Sequence, residues 1–272
     1  VPDNNFEQHL IDNGYDNFLD DYVFTDSINT VDSLDISSLS ISDLTGIEDF
    51  TALTYLDCGS NQLTSLDVSG ATTLTNLNCS YNQLTNLDVS GATALTTLFC
   101  IGSQLTSLDV SNNTALERLY CYHNNLTSLD VSNNTALTEL DCGSNQLTSL
   151  DVSQNTALTE LWCNSNQLTG SLDVSNNTAL TYLNCSYNQL TNLDVSGATA
   201  LTTLYSKNNQ LTSLDVSTNT ALIYLVTQTN QLTSLDVSNN LALTCLTCSN
   251  NQLTSLDVRN GNNTNVYIFK TL

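Results

Sequence analysis

The chain has 272 residues, with 27 Asp and Glu against four Lys and Arg, a net charge of −23. That balance excludes a nucleic-acid surface, which needs clustered cations to replace counterions. No apolar run is long enough to span a bilayer as a helix, and two His in the whole chain leave little material for a catalytic or metal-ligating cluster.

Residues 1–33 are expected to form an N-terminal helical cap. Asn4 and Glu7 have capping-box spacing, Phe6 and Leu10 share a helix face, and Gly14 marks the stop. A second apolar cluster, Phe18, Leu19, Tyr22, Val23 and Phe24, is expected to help cover the open end of the first coil. The Asp-rich stretch DNGYDNFLDD places its oxygens off the spacing of an EF-hand loop, so it reads as solvated and no metal is assigned to it. Residues 34–52 form an irregular leading coil.

From Leu53 the chain repeats itself. Coils open at Leu53, Leu74, Leu95, Leu116, Leu137, Leu158, Leu180, Leu201, Leu222 and Leu243, every step being 21 residues except one of 22 at the inserted Gly170. Ten repeats therefore fill residues 53–263. Counted from its opening Leu, each coil is apolar at positions 1, 4, 6, 11, 14 and 16. Positions 4 and 6 alternate with variable neighbours, the period of a half-buried strand. A coil this short cannot bury its own apolar side, so stacking in register supplies the core. Residues 264–272 read as a partial eleventh coil, with Val266, Phe269 and Thr271 at positions 1, 4 and 6. No polar cap follows. Either the protein continues or the uncovered end makes an end-to-end contact with another chain, and truncation is the preferred reading.

Three columns are nearly constant. Position 9 is Asn in nine coils of ten, with Ser103 the exception, and an Asn stack can satisfy turn backbone groups left inside the coil. Position 6 is Cys in eight coils, with Ser206 and Thr227 in the other two, so these thiols read as small buried core residues rather than as disulfides. Cys245 is set apart on the outer face. An Asp column runs from Asp67 to Asp257. Each Asp is expected to accept a hydrogen bond from the turn that follows, and a column of calcium ions is the sharper alternative.

The signature L-x-x-L-x-C-x-x-N-x-L resembles the leucine-rich repeat, with Cys as the third apolar residue, over roughly residues 34–258. The LTxLDVSxNTAL variant resembles secreted or surface-exposed leucine-rich repeat proteins of the Bacteroidetes, and LTGIEDFTAL is similar to the internalin type. The resemblance implies a right-handed, mostly β leucine-rich repeat solenoid with a parallel sheet on its concave face. It also implies a secreted or cell-surface location, which fits the polar, Lys-poor composition.

Function is expected where the columns vary. Positions 3, 5, 7 and 8 carry the only Trp, most of the Tyr and two of the cationic residues, among them Phe99, Asn184, Tyr187 and Lys207. The candidate ligand-binding residues are Arg118, Tyr120, Tyr122, His123, Glu139, Asp141, Glu160, Trp162, Tyr182 and Tyr205. Aromatic side chains on a rigid face give large contact area at small entropic cost. A protein ligand is expected and a polysaccharide is the alternative, with no cofactor and no membrane insertion. Two remoter readings are an ice-binding ladder, from the Thr at position 12 of every coil, and a glycan-active enzyme using Glu139 and Glu160. The charged Asp column argues against the first, and an open face with nothing to enclose a substrate argues against the second.

Overall fold

The computed structural model describes residues 1–261 and the backbone of Tyr267–Phe269. The chain folds as two compact units, Val1–Asn134 and Thr135–Leu272. Both are stretches of parallel β-solenoid, each coil giving one short strand to the main ladder, and some coils of the second unit carry a return strand as well. In the first unit, strands Ser33–Asp35, Tyr55–Asp57, Asn76–Asn78, Thr97–Phe99 and Arg118–Tyr120 pair in sequence. In the second, Glu139–Asp141, Glu160–Trp162, Tyr182–Asn184, Thr203–Tyr205, Tyr224–Val226 and Cys245–Thr247 do the same. The central Leu of each strand always faces the central Leu of the next, as Leu140 faces Leu161. One residue of slippage would turn every Leu outward, so burial locks the register.

The repeat leucines are the core: Leu137, Leu140 and Leu147 are fully buried, each contributing roughly 1.5–3 kcal/mol. The inserted Gly170 lies in a return strand, Thr169–Asp173, at φ +71°. That strand pairs with Gln189–Asp194 through a register shift between Leu190 and Asn192, so the extra residue is absorbed as a bulge.

Position 9 behaves as its chemistry demands. Asn166 Nδ2 donates to the carbonyls of Cys142 and Cys163 at 3.0 and 3.2 Å, and its Oδ1 accepts from the Leu147 amide at 2.9 Å. The preceding residue, position 8, is left-handed throughout, with φ between 51° and 62° from Ser60 to Asn250. It turns the chain off the strand.

The Asp column accepts from its own turn. Asp109 Oδ1 takes the Ser111 amide at 2.9 Å and Asp215 the Ser217 amide at 2.9 Å. Hydrogen bonds from the following Ser hydroxyl and amide hold Asp67, Asp88, Asp109, Asp130, Asp194 and Asp215 below the ordinary carboxylate value. Arg259 brings Asp257 down to about 2. A carboxylate whose folded value is depressed stabilises the fold above its unfolded value of about 3.9 and loses that contribution as pH falls through the folded value. Stability is therefore expected to hold at pH 5 and to decline below about pH 4. Circular dichroism across a pH titration checks this, and a decline already complete at pH 5 would contradict it.

All nine cysteines are free thiols, eight buried and Cys245 half-buried. Burial pushes Cys79 and Cys185 up to about 12, and Cys58, Cys100 and Cys163 well above the usual thiol value. Several donate to the strand carbonyl of the next coil, as Cys142 Sγ does to Trp162 O at 3.5 Å. Ser206 Oγ and Thr227 Oγ1 in the same slot are buried with no partner, which explains why Cys prevails there: a bare hydroxyl costs about 1–3 kcal/mol. In native buffer, a thiol reagent is expected to modify Cys245 alone and all nine thiols after denaturation. Rapid labelling of two or more native thiols would contradict this packing.

Three expectations need correction. The helix, α1 (Asn4–Asp12), is capped by Asp3, whose Oδ1 accepts from Asn5 and Phe6, not by Asn4. Asp3 prevails because its other oxygen ties the helix to the Ser42 amide and hydroxyl at 2.8 Å. Glu7 is not a capping-box partner either. It is fully buried and accepts from the Asp20 and Tyr22 amides.

The apolar cluster after it does not cover the first coil. Phe18, Leu19, Tyr22 and Phe24 are 52–73% exposed. The loop is anchored through its backbone to Glu7, which leaves those side chains outside, and the cap's core is Phe6 stacked 6.2 Å from Phe50, with Leu10 and Ile28.

Finally, the eleventh strand is shifted by one residue. Ile268 faces Leu246, and Phe269 faces Thr247, so Ile268 takes position 4. Val266 and Thr271 lie outside the described residues.

Candidate functional site

In the strands from Ser33–Asp35 to Cys245–Thr247 that pair in this way, the middle Leu is buried and the two flanking residues point to the opposite face. Glu160–Leu161–Trp162 shows the pattern: Leu161 is fully buried, while Glu160 and Trp162 are half-buried. Residues at positions 3 and 5 therefore form parallel columns on one exposed face, spaced by the strand separation of about 4.8 Å.

In the second unit these columns bring six candidate residues together. Glu139 faces Glu160, and Asp141 faces Trp162. Glu160 faces Tyr182, and Trp162 faces Asn184, which makes Trp162 and Tyr182 diagonal neighbours. Their ring centroids are 5.0 Å apart at 39°. Tyr205 continues the ladder, 5.8 Å from Tyr182 at 46°. Such pairs stabilise neighbouring strands and also leave a continuous aromatic surface. Burial, assisted by the charges of Glu160 and Asp141, raises the Tyr182 phenol above its ordinary value. It stays neutral at pH 7 and can donate a hydrogen bond.

Beside the ladder lies an open cleft of about 240 Å³ lined by Tyr182, Tyr205, Asn164, Asn184, Ser186, Tyr187 and Lys207 among others. Lys207 Nζ sits 5.1 Å from the centre of the Tyr187 ring, a cation–π contact. Ser186 is buried, and its Oγ has no hydrogen-bond partner. The face thus runs from carboxylates at Glu139, Asp141 and Glu160, across three aromatic rings, to amides and one cation. Ser186 is the element the sequence does not reveal, since one repeat Ser looks like another until the structure places the residue in the cleft wall. Asn184, Tyr187 and Lys207 stand in the variable columns, and only the side-chain geometry joins them to Tyr182.

The other four candidates belong to the first unit. Arg118 donates from Nε and Nη2 to Thr97 Oγ1 at 3.3 and 3.2 Å. Tyr120 stacks on Phe99, with centroids 4.8 Å apart and planes at 9°. Tyr122 meets the exposed His123 edge-on at 5.3 Å. His123 holds φ +56°, a conformation costing roughly 1–2 kcal/mol for a residue with a Cβ.

The face offers stacking surfaces, hydrogen-bonding amides and carboxylates. A cleft of about 240 Å³ falls below the range of enclosed small-molecule sites, about 300–1,000 Å³. Among the described residues no helix is long and apolar enough to cross a membrane.

Comparison with known proteins agrees with this geometry. The family described as leucine-rich repeats (2 copies) matches residues 114–155 and 156–197. The leucine-rich repeat domain of the endo-beta-N-acetylglucosaminidase EndoS matches residues 25–134. The functional domain of InlJ from Listeria monocytogenes, which includes a cysteine ladder, is 38% identical, with a TM-score of 0.72 over 94% of this chain and 69% of that one. The chain belongs to the internalin-like bacterial leucine-rich repeat proteins. The internalin InlF of the same organism is 22% identical (TM-score 0.59, 94% of this chain and 95% of that one). A leucine-rich repeat protein of Leptospira interrogans is also 22% identical (TM-score 0.67, 82% and 68%). Both of these likenesses concern the fold alone. No curated protein sequence matches the chain. The internalin-like assignment accounts for the buried column of Cys58 to Cys248 as a ladder of the kind InlJ contains.

Proposed function

We propose that this internalin-like protein is a non-catalytic recognition scaffold, secreted or displayed at the cell surface, that binds a protein ligand through the exposed face of its parallel sheet. The observation that carries this reading is the concentration of aromatic and charged variation on that face. It holds the ladder Trp162–Tyr182–Tyr205 flanked by Glu139, Asp141 and Glu160 on one side and Lys207 on the other. The Thr, Ser and Asp columns elsewhere barely change from coil to coil. Arg118, Tyr120, Tyr122 and His123 are further candidates, on the strand face of the first unit. Aromatic residues with a surrounding polar rim are the composition of interface hot spots.

The test is a screen of host and bacterial surface-protein ectodomains, followed by the affinity of Trp162→Ala for any ligand found. A central aromatic anchor is worth about 2 kcal/mol, so the variant is expected to bind roughly thirtyfold more weakly. Unchanged affinity would move the site elsewhere. A polysaccharide ligand is the second reading. It is favoured by the amide-lined cleft beside stacked aromatics and by the likeness of residues 25–134 to a domain of a glycan-cleaving enzyme. A glycan array probed with the same two proteins separates the readings.

A further inference from the structure

Helix α1 and the loop after it place three carboxylates together. One carboxylate oxygen from each of Glu7, Asp16 and Asp20 lies within 4.8 Å of the other two. Glu7 is fully buried, Asp16 half-buried and Asp20 exposed. The Glu7 Oε1 atom is occupied by the Asp20 and Tyr22 amides, at 2.9 and 3.2 Å. Its Oε2 is buried with no hydrogen-bond partner, and so is Asp16 Oδ2. A buried carboxylate oxygen left bare is costly, and here the cost is compounded by two like charges.

We infer that Glu7, Asp16 and Asp20 form a calcium-binding site that closes the N-terminal cap loop. The donor set is all oxygen and all anionic, which selects a hard cation. Two oxygens on one calcium ion, bonded at about 2.4 Å, can be up to about 4.8 Å apart, so the three oxygens are close enough for small side-chain adjustments to bring them onto one ion. The exposed side at Asp20 admits the waters that complete a six- to eight-fold shell. The loop spacing alone does not announce the site because its innermost ligand comes from the preceding helix.

A bound ion would also fix the loop that displays Phe18 and Leu19, both more than half exposed. Calcium is therefore expected to protect that loop from chymotrypsin, which cleaves after exposed aromatic and large aliphatic residues.

The experiment titrates calcium chloride into the full chain by calorimetry, in metal-depleted buffer with about 0.15 M salt to screen the surface charge. One saturable site with a dissociation constant of about 10⁻⁴–10⁻³ M is expected, the range of extracellular calcium modules. Asp20→Asn and Asp16→Asn, both at solvent-accessible positions, are each expected to weaken it at least tenfold and to abolish protection from chymotrypsin. Asp109→Asn, in the exposed Asp column, is expected to leave both readings unchanged. Absence of saturable heat in the parent protein overturns the inference. So does binding that survives Asp16→Asn and Asp20→Asn, or that disappears with Asp109→Asn.

Discussion

Asn166→Ala is expected to destabilise the protein by about 1–3 kcal/mol. The substitution strands the Leu147 amide, whose acceptor is Asn166 Oδ1. The carbonyls of Cys142 and Cys163 lose one donor each but keep another, Asn145 Nδ2 at 3.1 Å and Asn188 Nδ2 at 3.0 Å. The amide sits inside the coil, where water cannot replace the lost partner, and a bare buried donor costs about 1–3 kcal/mol. The coil at Ser103 shows that one vacancy is survivable: its Oγ is buried without a partner, and its neighbours still stack. A shift in the urea midpoint measures the effect. A loss below about 1 kcal/mol would mean that the column is not structural.

Gly197→Ala is expected to cost about 3 kcal/mol for a different reason. A Cβ on Gly197 would stand 1.7 Å from the carbonyl oxygen of Ser175, and one on Gly91 would stand 1.8 Å from that of Ser69. The backbones approach too closely for any side chain. The cause is the next residue. Gly91 and Gly197 precede Ala92 and Ala198, both fully buried, where other coils have a buried Asn such as Asn177 or Asn219. Those Asn donate across the gap, as Asn177 Nδ2 does to Val152 O and Asn155 O at 3.0 and 2.8 Å. Thr218, the counterpart of Gly197 in the next coil, has room for a side chain that reaches Ser196 O at 2.9 Å. Both close approaches fall where Ala takes the place of that Asn on top of a regular coil; at Gly70, before Ala71 and above the irregular leading coil, a Cβ would meet nothing. The double variant Gly197→Asn/Ala198→Asn is accordingly expected to recover at least half of the loss seen for Gly197→Ala. If the double variant were less stable than the single one, the two positions would not be coupled in this way.

Much of the fold is legible in the sequence because a repeat states each rule ten times. The Leu columns, the inner Asn, the buried Cys and the Asp turns all recur at fixed offsets, and stacking leaves one register that buries them. The cap is less legible because nothing in it repeats. Asn4 and Asp3 both suit an N-cap, and only the contact of Asp3 with Ser42 decides between them. Phe18, Leu19, Tyr22 and Phe24 read as core by composition, yet the anchoring of their loop to Glu7 leaves them outside. The last strand slips by one residue where the repeat pattern dissolves into RNGNNTN. The second inner Asn column, from Asn113 to Asn240, is fully buried, but in sequence it hides in the polar SxNT turns. For the candidate site, the columns identify which residues share a face. Which of them touch depends on side-chain direction, as with the diagonal contact of Trp162 and Tyr182.

The central claim is that identical columns build the scaffold while the varied strand face recognises the ligand. Its most direct test compares two triple variants against one surface-protein ligand by surface plasmon resonance. One is Trp162→Ala/Tyr182→Ala/Tyr205→Ala; the other is Thr148→Ala/Thr169→Ala/Thr191→Ala, on the exposed constant column of unit two. The aromatic triple is expected to lose at least about a hundredfold in affinity, with the Thr triple within about twofold of the parent. Retained affinity in the aromatic triple, or a comparable loss in the Thr triple, would contradict the account.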